Sequence, residues 1–153
     1  MGFDAASYTW KPDVDYRRHP EAYRIGRGEQ GVLIVQPYKA ELVPLWRFKT
    51  PEIAETSASA LIEKFRSYMA AGDFVGADMA RKFLQMGYTR ARRYANYKGG
   101  RKYQDNADFT PLLRGTGTEE KAASAKIFYE AWKQAEATPE YATQKKLWKH
   151  ERG

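Results

Sequence analysis

Cysteine is absent from the 153-residue chain. That excludes a disulfide framework, a thiolate nucleophile and a Cys-ligated metal, and it fits a reducing, cytoplasmic setting. Histidine is almost absent, with only His19 and His150, far apart in sequence. His19 has Asp13, Asp15 and Glu21 nearby, a weak carboxylate–His pattern that reads more simply as a turn before Pro20, so no metal and no cofactor are expected. No apolar run approaches the roughly 18 residues of a membrane span. The start, MGFDAASYTW, has neither a basic n-region nor an apolar h-region, so no signal peptide is expected. No G-x-S-x-G elbow supports a Ser-His-Asp triad. No catalytic motif is recognisable, and catalysis stays open. There is no internal repeat and no low-complexity linker. One further absence is local: residues 80–103, ARKFLQMGYTRARRYANYKGGRKY, contain no Asp and no Glu.

That stretch holds eight Lys or Arg and five aromatics. The whole chain carries net charge +7, unevenly placed. Residues 1–72 are net +1, residues 73–103 net +6, and residues 104–153 neutral. A charge serving solubility alone is spread out; a concentrated one marks a footprint for an anion. Hydrophobic residues at 42% and charged residues at 29% are those of a folded globular chain, and the length suits one domain, 1–153.

Residues 1–31 read as an irregular arm rich in Tyr, Pro and Gly. VLIVQ, residues 32–36, is a β-branched apolar run between Gly31 and Pro37 and predicts a buried strand. LVPLWRF, residues 42–48, predicts a second, edge strand broken by Pro44. QPYKAE between them would be the hairpin loop, and Ala22–Ile25 a possible third strand. Thr50-Pro51-Glu52 then opens a helix: capping oxygen, Pro at the first position, acid in the first turn. Leu61, Ile62, Phe65, Tyr68 and Met69 follow at helical spacing. Gly72 stops that helix and Asp73 caps the next. Thr118-Glu119-Glu120 and Thr138-Pro139-Glu140 start two more. The expected fold class is α+β: mostly helical (50–150), with a short N-terminal antiparallel β element (32–48).

On a helical wheel over residues 75–97, Met79, Ala80, Phe83, Leu84, Met86, Gly87, Ala91 and Tyr94 share one side. Arg81, Lys82, Gln85, Tyr88, Thr89, Arg92, Arg93 and Asn96 share the other, which runs on into Lys98, Arg101 and Lys102 of a Gly-Gly loop. A charged helix face can simply be solvated. Solvated faces mix signs, however, and like charges at i,i+4 weaken a helix. Cations interleaved with amides and Tyr suit a phosphate backbone. Arg90 breaks the pattern by falling on the apolar side, where it needs a carboxylate partner or a helix break near Gly87. A break would make a helix-turn-helix with Thr89 capping residues 90–97.

WRFKTPEIA (46–54), residues 73–103 and GRGEQGVLIVQPYK (26–39) together resemble a family of bacterial, algal and phage proteins catalogued as domain of unknown function 4385. The resemblance covers most of the chain. It supports one domain in a cytosolic setting and implies no activity or cofactor.

GRGEQG (26–31) lacks the Gly-Lys-Ser/Thr of a phosphate loop, and RGTGTEE (114–120) places two acids where a phosphate would sit. Both read as turns and caps. The site residues expected to bind an anion are therefore Arg81, Lys82, Gln85, Tyr88, Arg92, Arg93, Asn96, Lys98, Arg101 and Lys102. The expected partner is nucleic acid, DNA or RNA, or another polyanion, bound with little sequence preference. Two other readings share the strip. One is an enzyme clamping a phosphorylated or anionic small substrate, with His19, Glu29 or Glu41 as acid–base group. The other is an interaction factor for an acidic protein.

Overall fold

The computed structural model describes residues 10–26, 31–96 and 119–152. Among these residues five α-helices follow in chain order: α1 (Tyr38–Leu42), α2 (Pro51–Ala70), α3 (Phe74–Asn96), α4 (Glu119–Glu136) and α5 (Pro139–Arg152), with 3-10 turns at Pro20–Ala22 and Val43–Leu45. The fold is all-α, and the expected β element is absent from the described residues. Around the VLIVQ run the Ile34 and Val35 amides both donate to the Gly31 carbonyl, so the run coils into a turn. QPYKAE becomes the start of α1 instead of a hairpin loop. Residues 42–48 finish α1, pass through the 3-10 turn and only then extend. Ala22 ends a 3-10 turn. One isolated bridge, Asp15 to Gln36, is all that remains of strand pairing there. A short apolar run between Gly and Pro satisfies a buried turn as well as a strand, because both need only that Val32 and Val35 be inside.

The helix punctuation follows the sequence reading. Thr50 caps α2, its hydroxyl accepting from the Ile53 amide at 3.2 Å. Gly72 ends α2 at φ +72°. Asp73 caps α3, accepting from the Gly76 amide at 3.1 Å. α5 begins at Pro139.

α2, α3 and α4 pack together with α3 in the middle. The order of contacts shows α3 and α4 to be antiparallel. Gly87 of α3 lies against Phe128 of α4, and Arg81, earlier in α3, meets Tyr141 of α5, which follows α4. The N-terminal segment wraps the first half of α3. It puts Trp10, Tyr16, Tyr23, Val35, Tyr38 and Leu42 into one core with Leu61, Phe65, Phe83 and Phe128. α3 is consequently buried on every side from Phe74 to Leu84 and emerges only from Tyr88 on.

Candidate functional site

The first half of α3 takes two of the expected anion-binding cations out of solvent. Arg81 and Lys82 are buried, together with Asp78. Arg81 Nη2 lies 2.7 Å from Asp78 Oδ1, and Lys82 Nζ lies 3.9 Å from Asp78 Oδ2. Tyr141 Oη donates to Asp78 Oδ1 at 2.6 Å, and Tyr23 Oη donates to Oδ2. Arg81 Nε also donates to Tyr141 Oη at 3.0 Å, and its Nη1 to Gln85 Oε1 at 2.7 Å. Lys82 Nζ stands 5.2 Å from the Trp10 ring centre and 5.5 Å from that of Tyr23. Burial raises the Asp78 carboxyl, but Arg81, Lys82 and the two phenols outweigh it and hold it at about 2. Burial pulls Lys82 down to about 8, with Asp78 opposing. This cluster is structural: it ties the N-terminal segment and α5 to the centre of the molecule. The wheel misplaced Arg81 and Lys82 because it assigns a face by angle alone, whereas here burial depends on position along the axis.

The second half of α3 is different. Arg90, Arg92 and Arg93 are all exposed. α3 runs unbroken through Gly87, so no helix-turn-helix forms there, and Arg90 points to solvent with no carboxylate partner among the described residues, while its neighbour Ala91 stays buried. Beside these arginines an aromatic group joins α3 to α4. Tyr88 lies 5.2 Å from Tyr129 and 5.8 Å from Trp132 between ring centres. Tyr129 keeps 42% of its surface exposed. Lys133 Nζ sits 4.0 Å over the Trp132 ring and also pairs with Glu136 at 3.8 Å. Asn96 ends α3, while Lys98, Arg101 and Lys102 fall outside the described residues.

The acid–base groups of the enzyme reading do not gather. His19 is exposed, with Nδ1 3.4 Å from Glu21, and Glu29 falls outside the described residues. Asp15 accepts from the Arg17 and Arg18 amides and so caps a turn. Glu41 belongs to a second network. Arg17 grips it with two bonds of 2.7 and 2.8 Å, and Tyr68 Oη donates to it at 2.6 Å. Tyr38 Oη bonds Asp73 at 2.7 Å. The Arg17 bond, opposed by partial burial, holds Glu41 at about 2, too acidic to accept a proton near neutrality. Among the described residues no group of three or more His, Asp or Glu is placed to hold a metal ion, and no helix is long and apolar enough to cross a membrane.

Sequence reasoning missed Asp78 as the hub, although its i+3 and i+4 spacing to Arg81 and Lys82 carried the signal. It also missed an open cleft of about 700 Å³ lined by Trp46, Arg47, Phe48, Lys49, Ile53 and Lys121. The alternation Trp-Arg-Phe-Lys at 46–49 was its trace in the sequence.

Residues 7–151 match the family described as domain of unknown function (DUF4385). The chain belongs to the DUF4385 family. The match takes in the segment around α3 as well as all five helices nearly whole, so in this DUF4385 protein the buried cluster, the arginine end of α3 and the cleft all lie within the family region. Neither a curated protein nor a solved structure matches the chain.

Proposed function

We propose that this DUF4385 protein binds nucleic acid through its phosphates, using Arg90, Arg92 and Arg93 on the exposed end of α3. The observation that carries this reading is a contrast among arginines. Exposed Arg17, Arg18 and Arg66 each pair with a carboxylate, Glu41, Asp15 and Glu63 respectively, and exposed Arg24 and Arg47, without a carboxylate, donate to backbone carbonyls of Glu21 and of Val43 and Trp46. Arg90, Arg92 and Arg93 sit in four consecutive positions and have no ion pair among the described residues. Three uncompensated guanidiniums on one helix end repel one another, and an incoming row of phosphates relieves that. The rings of Tyr88 and Tyr129 lie alongside, in the interleaved arrangement that supports stacking on bases or sugars. Phosphate contacts position without reading sequence, so little sequence preference follows. A cytoplasmic setting goes with this reading and with the lack of cysteine.

The test is fluorescence anisotropy with short labelled DNA and RNA at about 50 and 200 mM salt, where phosphate-driven binding differs sharply. Wild type binds with affinity falling steeply as salt rises. The charge reversal Arg92→Glu/Arg93→Glu lowers affinity for every sequence and reduces the salt slope by roughly two. Both side chains are exposed, so the melting temperature stays within a few degrees. Binding unaffected by the reversal, or no binding at about 50 mM salt, overturns the proposal.

A further inference from the structure

Among the described residues the exposed large apolar side chains are Leu33, Ile53, Tyr129 and Leu147. Only Tyr129 carries a ring on which a base can stack. It stands on α4 beside the arginine end of α3. Its ring centre lies 5.2 Å from that of Tyr88 on α3, and it meets Trp132 edge-on at 5.8 Å. Lys133 Nζ lies 5.6 Å from the Tyr129 ring centre, nearer to Trp132, and pairs with Glu136. These contacts hold the Tyr129 ring in place, yet 42% of the residue still faces water. A ring fixed by its neighbours and open to solvent loses little further freedom when a flat ligand stacks on it.

Helix geometry sets the charges around it. Residues three and four apart share a helix face. Lys126 therefore lies one turn before Tyr129 on α4, and Arg92 one turn beyond Tyr88 on α3. The two helices are antiparallel, so both cations stand at the same end of the ring pair, roughly 5 Å along the axes from it. Both are exposed, and neither has an ion pair among the described residues. Glu130, next to Tyr129 in sequence, lines the groove between α2 and α4 with Ile127 and Gln134, on another face of α4. A ring beside cations matches the alternation of base and phosphate along an unpaired strand. A duplex offers Arg92 and Arg93 its phosphates but keeps its bases stacked inside, out of reach of Tyr129.

We infer that Tyr129 is a base-stacking platform by which this site selects an unpaired strand over a duplex, with one base on its ring and the neighbouring phosphates on Arg92 and Lys126. The inference rests on the nucleic-acid reading and deepens it: the surface extends from α3 onto α4, and the partner is single-stranded. A free nucleotide offers the same ring and phosphate, and the experiment separates the two sources.

Anisotropy is measured with a labelled single strand of about 15 nucleotides and a duplex of the same length, at about 50 and 200 mM salt. The proteins are wild type, Tyr129→Leu, Lys126→Glu and the Arg92→Glu/Arg93→Glu variant. Tyr129→Leu keeps apolar bulk against Tyr88 and Trp132 and removes the ring, and its melting curve verifies the fold. Wild type is expected to hold the single strand more tightly than the duplex. Tyr129→Leu weakens single-strand binding about tenfold, the scale of one lost base–aromatic stack, and duplex binding far less. Lys126→Glu lowers the single-strand salt slope by about one. The double arginine variant weakens both forms. A duplex bound as tightly as the single strand, or a Tyr129→Leu protein that keeps wild-type affinity or loses both forms alike, overturns the inference. The double arginine variant then still decides the arginine reading by itself. Binding of neither form by wild type overturns both. Where Tyr129→Leu melts well below wild type, Lys126→Glu decides in its place, and an unchanged salt slope overturns the inference. Adenosine monophosphate equimolar with the labelled strand should leave the strand bound; displacement assigns the ring to a free nucleotide and overturns the strand.

Discussion

Arg81 and Asp78 meet at 2.7 Å with side chains 4% and 0% exposed, an ion pair that shares almost nothing with water. In the interior such a pair holds only if its remaining valences are met. Here Tyr23, Tyr141 and Gln85 meet them, so that three chain segments converge on one carboxylate.

Removing that carboxylate is expected to be more damaging than removing the whole charge group. Asp78→Ala leaves Arg81 and Lys82 inside without their counter-ion and should lower stability by about 3–5 kcal/mol. The triple change Asp78→Leu/Arg81→Met/Lys82→Met removes all three charges of the cluster and should fold better than Asp78→Ala alone. Urea titrations followed by circular dichroism check the order. A triple variant less stable than the single one contradicts the argument.

Acid should weaken the fold through two carboxylates. Asp78 and Glu41 are both held at about 2, below their unfolded values near 4. Below the unfolded value the unfolded chain binds more protons than the native one. Their stabilisation is therefore complete above about pH 5 and declines as pH falls toward 2. The urea midpoint measured at pH 7, 4 and 2.5 should drop in that order. Glu41→Gln should lower the midpoint at pH 7 and flatten the drop.

Mild alkali should do the opposite. Lys82 loses its proton near 8 in the fold and near 10.4 when unfolded. Between these values the unfolded chain holds more protons, so stability rises with pH. Among the described residues Asp78, Arg81 and Lys145 act on it by charge, and Lys145, also lowered by burial, adds to the rise. Above about pH 10 the phenols of Tyr23, Tyr38, Tyr68 and Tyr141, all raised first by burial, reverse the trend. Calorimetry from pH 7.5 to 9.5 should show a rising melting temperature in wild type and a smaller rise in Lys82→Met. Equal slopes for the two proteins would assign the effect elsewhere.

Two helical glycines in α3 are contact points rather than weak links. A Cβ on Gly87 would come within 2.5 Å of the Phe128 ring, and one on Gly76 within 2.6 Å of Tyr68. Alanine favours a helix by about 1 kcal/mol over glycine, yet the overlap forces α3 away from its neighbours. Gly87→Ala and Gly76→Ala should each lower stability, the overpacking of about 1–3 kcal/mol outweighing the propensity gain. Denaturant midpoints above wild type would show that the rings move aside freely.

Local signals translated faithfully. Thr50, Gly72, Asp73 and Pro139 act through hydrogen bonds and dihedrals within one turn, so their effect needs no knowledge of the fold. VLIVQ did not translate, because its apolar residues say only that they are buried. The missing information was whether another strand lay beside them, and Trp10, packed over Gly31, fills that place. The exposure of the proposed anion-binding strip was half legible. Arg92 and Arg93 are exposed as the wheel had them, whereas Arg81 and Lys82 from the same strip are inside and Arg90 from the apolar side is outside.

The sequence by itself determined the end of α2 and the starts of α2, α3 and α5, the concentration of positive charge in residues 73–103 and the family, since each is written in consecutive residues. Only the tertiary structure decided which of those charges face water. α3 is the central helix for its first half and a surface helix for its second, and a side chain's surroundings depend on what packs at its level along the axis as well as on its angle around it. The meeting of Tyr23, Asp78 and Tyr141, and of Trp46 with Phe48 and Lys121, likewise joins residues far apart in the chain. No local pattern records such a meeting, because it is settled by how the helices and the N-terminal segment pack together.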